Sequence, residues 1–342
     1  MRAANGNPQG NVIGAGLTEA QVEEAVRRSG YPLQTLVARS LAGAFDVREE
    51  WSFIDADTEE IRTLDILAER WFFDTEKHSR IRPTLDLLIE CKQSDLPYVF
   101  FLASNRTWLP KFPALAGLFG DKITAITDDD ASTWTATVQH ALGVDQDPFV
   151  KEGPKQCMSL SKCMRRGKDL EVSGAETFNA VVLPLVKAVK HFQKQETPPP
   201  TAYYHDMHMA LAVAVIDAPM IAVEVTDTGQ NLIYEPWLRV VRNQATQSED
   251  WTDRSQIYVI DVVHKDFFEF YVTDHVVPFA ERVSEKALKH AVEIATGQAF
   301  APNLGSRSFE GFTEMVPRTA VKKAARPLTI GRRLAKFLLR RE

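Results

Sequence analysis

The spacing of apolar and polar positions divides the chain into two opening helices, a run of strands, and a longer mixture of both. Thr18, with Gln21 three residues on, marks a capping-box start for a helix carrying Val22, Ala25 and Val26, which Ser29-Gly30 closes. Pro32 suits the first turn of a second helix, whose Leu33, Leu36, Val37 and Leu41 form one stripe before Gly43. From Phe45-Asp46-Val47 the period shifts to two. A strand runs through Trp51-Ser52-Phe53-Ile54, Asp55-Ala56-Asp57-Thr58 turns the chain, and a second strand covers Ile61 to Glu69. Alternation there puts Leu64, Ile66 and Ala68 on one face and Asp65, Leu67 and Glu69 on the other.

A polar loop from Asp74 to Pro83 leads to the best-defined strand, Leu85 to Lys92. Its Leu85, Leu87, Ile89 and Cys91 point one way; Asp86, Leu88, Glu90 and Lys92 point the other. Pro97 to Leu102 is a further apolar strand, whereas residues 103–150 show little period. Ser173 to Gln193 reads as a helix kinked at Pro184. Leu211–Ile216, Met220–Val225, Trp237–Arg242 and Ile257–Val263 read as later strands of one sheet, so the prolines at 198–200 do not divide domains. Phe267 to Val283 runs into a helix that goes on through Ser284–Thr296. The expected organisation is a flexible start over 1–16, one α/β domain with a mixed sheet over 17–297, and a loose segment with a basic tail over 298–342. In that tail residues 329–341 make a basic amphipathic helix, with Ile330, Leu334, Phe337 and Leu338 on one side.

Composition narrows the function classes. No apolar run reaches the eighteen or so residues a membrane span needs, and Met1 to Gly16 has no apolar segment of the kind a secretory signal carries. Cys91, Cys157 and Cys163 form no Cys-x-x-Cys pair, which points to a reducing, cytoplasmic setting. The net charge of −6 is unevenly spread: residues 316–342 carry +8, leaving −14 for residues 1–315. A local field of that sign suits a polyanion. A glycine-rich phosphate loop and a Gly-x-Ser-x-Gly elbow are both absent, which removes ATP-driven translocation and serine hydrolysis. His205-Asp206-x-His208 lacks a partner Cys or His pair and reads as the polar start of a strand; Glu69 and Asp86 read as solvated rims.

The chemistry concentrates on Asp65, Glu90 and Lys92. Glu90-Cys91-Lys92 is the one acid-x-Lys triplet in the sequence, and it closes the best strand. A carboxylate and an ammonium two residues apart lie side by side on one face, costly in a core strand unless paired or metal-bound. On a neighbouring strand Asp65 can share a divalent ion with Glu90, the Cys91 carbonyl adding a third oxygen; Mg²⁺ or Mn²⁺ suits such ligands. Lys92 would then position the attacking water for phosphodiester hydrolysis.

These residues, with Tyr31-Pro32-Leu33-Gln34, Phe45-Asp46-Val47 and Asp55-Ala56-Asp57-Thr58 through Asp65-Ile66-x-Ala68, resemble the PD-(D/E)XK nuclease superfamily, in particular its restriction-endonuclease-like and Mrr-like members. The resemblance implies an α-β-β-β-α-β core with extra C-terminal strands and helices. It also implies a Mg²⁺-dependent nuclease, acting on DNA, in antiviral defence or repair. Gln34 matches a helix position that is often Glu in the family, and Leu64 stands where the family name has proline. Many relatives pair two active sites, which implies a homodimer. Lys151, Lys155, Lys162, Arg165, Arg166 and Lys168 are candidate contacts to the nucleic-acid backbone. Two other readings stay open. One is a non-catalytic scaffold of the same fold that binds nucleic acid or a partner protein; the other is a tail helix docked on anionic lipid.

Overall fold

The computed structural model describes residues 2–127, 133–245 and 255–301. The basic tail, with the helix expected at 329–341, and most of the segment expected to be loose lie outside them.

The first helix, α1 (Glu19–Arg28), starts on the Thr18–Gln21 capping box, with both reciprocal bonds made. Gly30, in the left-handed region at φ 80°, turns the chain into α2 (Tyr31–Leu41), whose Leu33, Val37 and Leu41 are buried. Three antiparallel strands follow: β1 (Asp46–Ile54), β2 (Ile61–Trp71) and β3 (Ile81–Gln93). Then come β4 (Tyr98–Leu102), and, in the stretch where the sequence shows little period, the short β5 (Ala114–Ala116), β6 (Lys122–Thr127) and β7 (Thr133–Thr137). The later part of the cation-rich stretch forms a hairpin, β8 (Gln156–Arg166) with β9 (Asp169–Ser173).

Helix α3 (Leu183–Gln195) is preceded by a π turn at Phe178–Val182. Pro184 has no N–H to give and its ring crowds the carbonyl four residues back, so a widened turn ahead of it relieves the clash. Strands β10 (His205–Asp217), β11 (Met220–Thr226), β12 (Gly229–Tyr234), β13 (Trp237–Ala245) and β14 (Ser255–His264) lead to a second helix with the same device, a π turn at Tyr271–Val276 before Pro278 in α4 (Val277–Lys289). The short helix α5 (Ala291–Thr296) and β15 (Gln298–Ala301) end the described chain. Residues 298–301 are thus paired, with β6, instead of loose.

One 12-stranded mixed sheet carries the order β1-β2-β3-β10-β14-β13-β8-β4-β11-β12, with β5 against β10 and β9 against β8. β10 runs parallel to β3 over thirteen matched positions, His205↔Ile81 to Asp217↔Gln93, with α3 between the two in the chain. The sheet is covered on both sides: α2 and α4 pack on one face, α3 on the other. That is why β10 reads as a near-continuous apolar run, Met207 to Ile216, and why nothing on β3 from Pro83 to Cys91 reaches solvent freely. Each aliphatic side chain so buried contributes about 1.5–3 kcal/mol. Carboxylates at positions 86 and 90 share this environment.

The strict alternation expected for β2 fails at one place. Leu64 packs with Leu67 and Leu88 in the α3 layer, opposite Ile66 and Ala68. On β1 the same inversion occurs, with Val47 against the α2 layer and Trp51 and Phe53 in the α3 layer. Both strands change face between Glu49↔Ile66 and Trp51↔Leu64, where Glu50 and Asp65 drop out of the matched register.

Candidate active site

Asp65 and Glu90 come together on adjacent strands, one step beyond the matched pair Ile66↔Ile89. The Asp65 carboxylate accepts the Cys91 backbone N–H at 2.6 Å. Glu90 is buried, its Oε1 is held by the Lys92 ammonium, and its Oε2 has no hydrogen-bond partner. Lys92 itself is partly exposed, so the pair spans the wall of the sheet, the acid inside and the ammonium at the edge of solvent. The Cys91 thiol turns into the α2 layer, where burial pushes its pKa far up; only the main chain of that residue is available to the site.

Glu50 is the member that pattern reading missed. It holds φ of 52°, a left-handed conformation unusual for a side chain of its size, at the point where β1 changes face. Gln34, buried on α2, donates from Nε2 to Glu50 Oε1 at 2.8 Å and to the Asp65 carbonyl at 3.1 Å. The amide therefore does not stand in for a carboxylate. It ties the Glu50 carboxylate and the β2 backbone to the helix. A twist of this kind leaves no mark in a hydrophobic pattern; the Arg48-Glu49-Glu50 run between apolar positions was the available hint.

Burial lifts the Glu90 pKa to about 7, with Lys92 pulling down and the Asp65 and Glu50 charges pushing up. Burial also raises Asp65, against the Cys91 N–H and Lys92. A carboxyl whose pKa rises on folding takes up a proton as the chain folds, between the ordinary glutamate value of 4.5 and about 7. Stability therefore falls as pH rises through that window. In chelator, the unfolding free energy of the wild type, from urea titration, should fall on the order of 2–3 kcal/mol more from pH 4.5 to pH 7.5 than that of Glu90→Gln. Parallel curves for the two proteins would refute the buried-acid description.

The six cations proposed for backbone contact lie elsewhere in the sheet order, separated from β3 by β10, β14 and β13 where they are on β8. Lys155 pairs with Glu235, Arg166 with Glu171, and Lys151 donates to Gln146. Lys162 lies over the Tyr98 ring.

One reading made from the sequence is overturned. Asp86 is no solvated rim: it is fully buried and bonded to His208 Nδ1 at 2.9 Å. The His205-Asp206-x-His208 stretch is the start of strand β10, as read, with both histidines buried. Glu69, Asp86 and His208 bring ligand atoms within 4.8 Å of one another and could hold a metal ion; among the described residues no other trio does, Glu50, Asp65 and Glu90 included. Neighbouring strands supply the partners that the sequence around His208 lacks.

No helix among the described residues is long and apolar enough to cross a membrane, and the three cysteines are free and buried. No protein-family model, curated protein or solved structure matches the chain.

Proposed function

We propose that the chain is a divalent-metal-dependent nuclease of the PD-(D/E)XK kind, with Asp65, Glu90 and Lys92 as its working residues and Glu50 as a further acid. The observation that carries this reading is the buried Glu90 carboxylate, with one oxygen lacking a partner and Lys92 on the other, beside the Asp65 carboxylate. An orphaned anionic oxygen in a sheet interior is expensive for folding alone, and a hard cation satisfies it. The order α2-β1-β2-β3-α3-β10, with β10 parallel to β3, supports the same family by its succession of elements, the segment 94–174 being an insertion in it.

Mg²⁺ or Mn²⁺ would be held by Asp65 and Glu90, and when bound would stabilise negative charge on the phosphodiester. The Lys92 ammonium donates a hydrogen bond from Nζ that orients the attacking water, or offsets the charge growing on a phosphate oxygen. Gln34 keeps Glu50 aimed and restrains β2. Hydrolysis adds the water oxygen to phosphorus while the water gives up one proton to solvent, breaks one ester bond, and leaves the departing oxygen to take up a proton from solvent.

The test is incubation of the full chain with supercoiled plasmid, single-stranded DNA and RNA, with Mg²⁺, Mn²⁺ or chelator. Cleavage of DNA that stops in chelator is the expected result; a Glu90→Ala protein that cuts at the wild-type rate would sink it. One observation favours the alternative of a non-catalytic scaffold, namely that Asp65 and Glu90 are already engaged by the Cys91 amide and Lys92. Calorimetry separates the two, since a scaffold takes up no Mg²⁺ that Glu90→Gln removes.

A further inference from the structure

We propose that Glu69, Asp86 and His208 form a binding site for one divalent first-row transition-metal ion, separate from the Asp65–Glu90 centre. The two sites share β3 but are four residues apart on it, about 13 Å at ~3.3 Å per residue. Three adjacent strands build the second one. Glu69 on β2 stands directly across from Asp86 on β3, and His208 on β10 lies beside them, matched to Thr84.

Four observations point to an ion. First, the ligand atoms lie within 4.8 Å of one another. Secondly, Asp86 is fully buried, and while its Oδ2 meets His208 Nδ1, its Oδ1 has no hydrogen-bond partner. A buried anionic oxygen left bare costs folding free energy that a cation would offset. Thirdly, Asp86 Oδ2 and His208 Nδ1, hydrogen-bonded at 2.9 Å, are close enough to serve one ion together. The ion would take the place of the shared proton. Fourthly, Glu69 and His208 line a cavity of about 410 Å³ together with Trp71, Phe192 and Glu196, so coordination positions remain for water or an exogenous ligand.

The donor set selects the metal. One imidazole nitrogen with two carboxylates, and no thiolate, suits Mn²⁺, Fe²⁺, Co²⁺ or Zn²⁺ rather than a soft monovalent ion. Glu69 is the adjustable member. Its present partners, the Trp71 indole N–H and Arg48 at 3.4 Å, sit at the cavity rim and can be exchanged for the ion. Glu196 Oε2, 3.6 Å from His208 Nε2, can accept the other ring N–H once Nδ1 is ligated, the outer-shell arrangement common for metal-bound histidine.

The experiment uses the full chain in a Glu90→Gln background, stripped with chelator and titrated with Co²⁺. Visible absorption and calorimetry are read together, and neither depends on cleavage, so a failure of the nuclease reading leaves the result intact. One Co²⁺ per chain with a ligand-field spectrum is expected, and at least a ~100-fold loss of affinity in Glu69→Gln and in His208→Gln. If His208→Gln does not fold by circular dichroism, Glu69→Gln, on the cavity side, decides alone. Absence of Co²⁺ binding at micromolar concentrations, or binding unmoved by Glu69→Gln, would overturn the proposal.

Discussion

Glu90→Gln is expected to lower Mg²⁺-dependent cleavage at least about 10³-fold while leaving the protein as stable as the wild type, or more so, at pH 7.5. The two halves of that result come from one environment. Glu90 lies inside the sheet with Oε2 unpartnered, so its charge opposes folding unless an ion is present. Glutamine keeps the shape, removes the charge, and frees Lys92, which is near enough to solvent to remain hydrated. What would be lost is the second anionic ligand of the proposed metal centre. Asp65→Asn should lose a similar factor, since its remaining carbonyl oxygen can still accept the Cys91 N–H and hold the strands. Glu50→Gly separates geometry from charge. Relief of the left-handed strain at φ 52° roughly cancels glycine's extra chain entropy, so stability should change by less than about 1 kcal/mol. Cleavage should still fall, because the carboxylate that Gln34 holds is gone. Plasmid-nicking rates and thermal unfolding with excess chelator measure both quantities. A Glu90→Gln protein that is several kcal/mol less stable, or that cuts normally, contradicts the description of the site.

How much of this was legible depended on whether the information is local. The Thr18 cap, the Pro32 start and the strand through Glu90 are written in a few consecutive residues, and the structure places them there. That Asp65, Glu90 and Lys92 lie close together was readable because acid-x-Lys at a strand end is a short signal. Glu50 was not, because its place depends on a face change in two paired strands at once. The Asp86–His208 bond joins residues 122 positions apart across parallel strands, and only the register of β10 on β3 brings them together. A charge inside a fully covered strand was the clue there. Once both faces of β3 are known to be buried, Asp86 cannot be a rim residue, and the partner must be sought on β2 or β10.

The same clue, a lone charge in an apolar strand, occurs twice more, and it leads to the largest stability effect expected in this chain. Trp237-Leu238-Arg239-Val240-Val241 and Val259-Ile260-Asp261-Val262-Val263 each carry one, and the antiparallel register sets Arg239 against Asp261. Both side chains are buried. The guanidinium donates to both Asp261 oxygens, at 2.7 and 3.0 Å, and to the Phe149 carbonyl at 3.1 Å. Tyr271 donates to Asp261 Oδ2 at 3.0 Å, and the rings of Phe112 and Phe149 flank the cation. Asp261→Ala would leave a guanidinium deep in the sheet without its counter-charge, at about 3–5 kcal/mol. Arg239→Met alone strands the carboxylate and should be comparably harmful. The double change Arg239→Met with Asp261→Leu removes both charges and keeps the volume, leaving the Phe149 carbonyl and the Tyr271 hydroxyl to be satisfied by water or not at all. It should recover most of the loss, to within about 2 kcal/mol of the wild type. Urea unfolding of the three variants closes the cycle. A double variant as unstable as the sum of the singles would mean that Arg239 and Asp261 are not coupled, each being held by its other partners, the Phe149 carbonyl and the Tyr271 hydroxyl, and would refute the description of a mutually dependent buried pair.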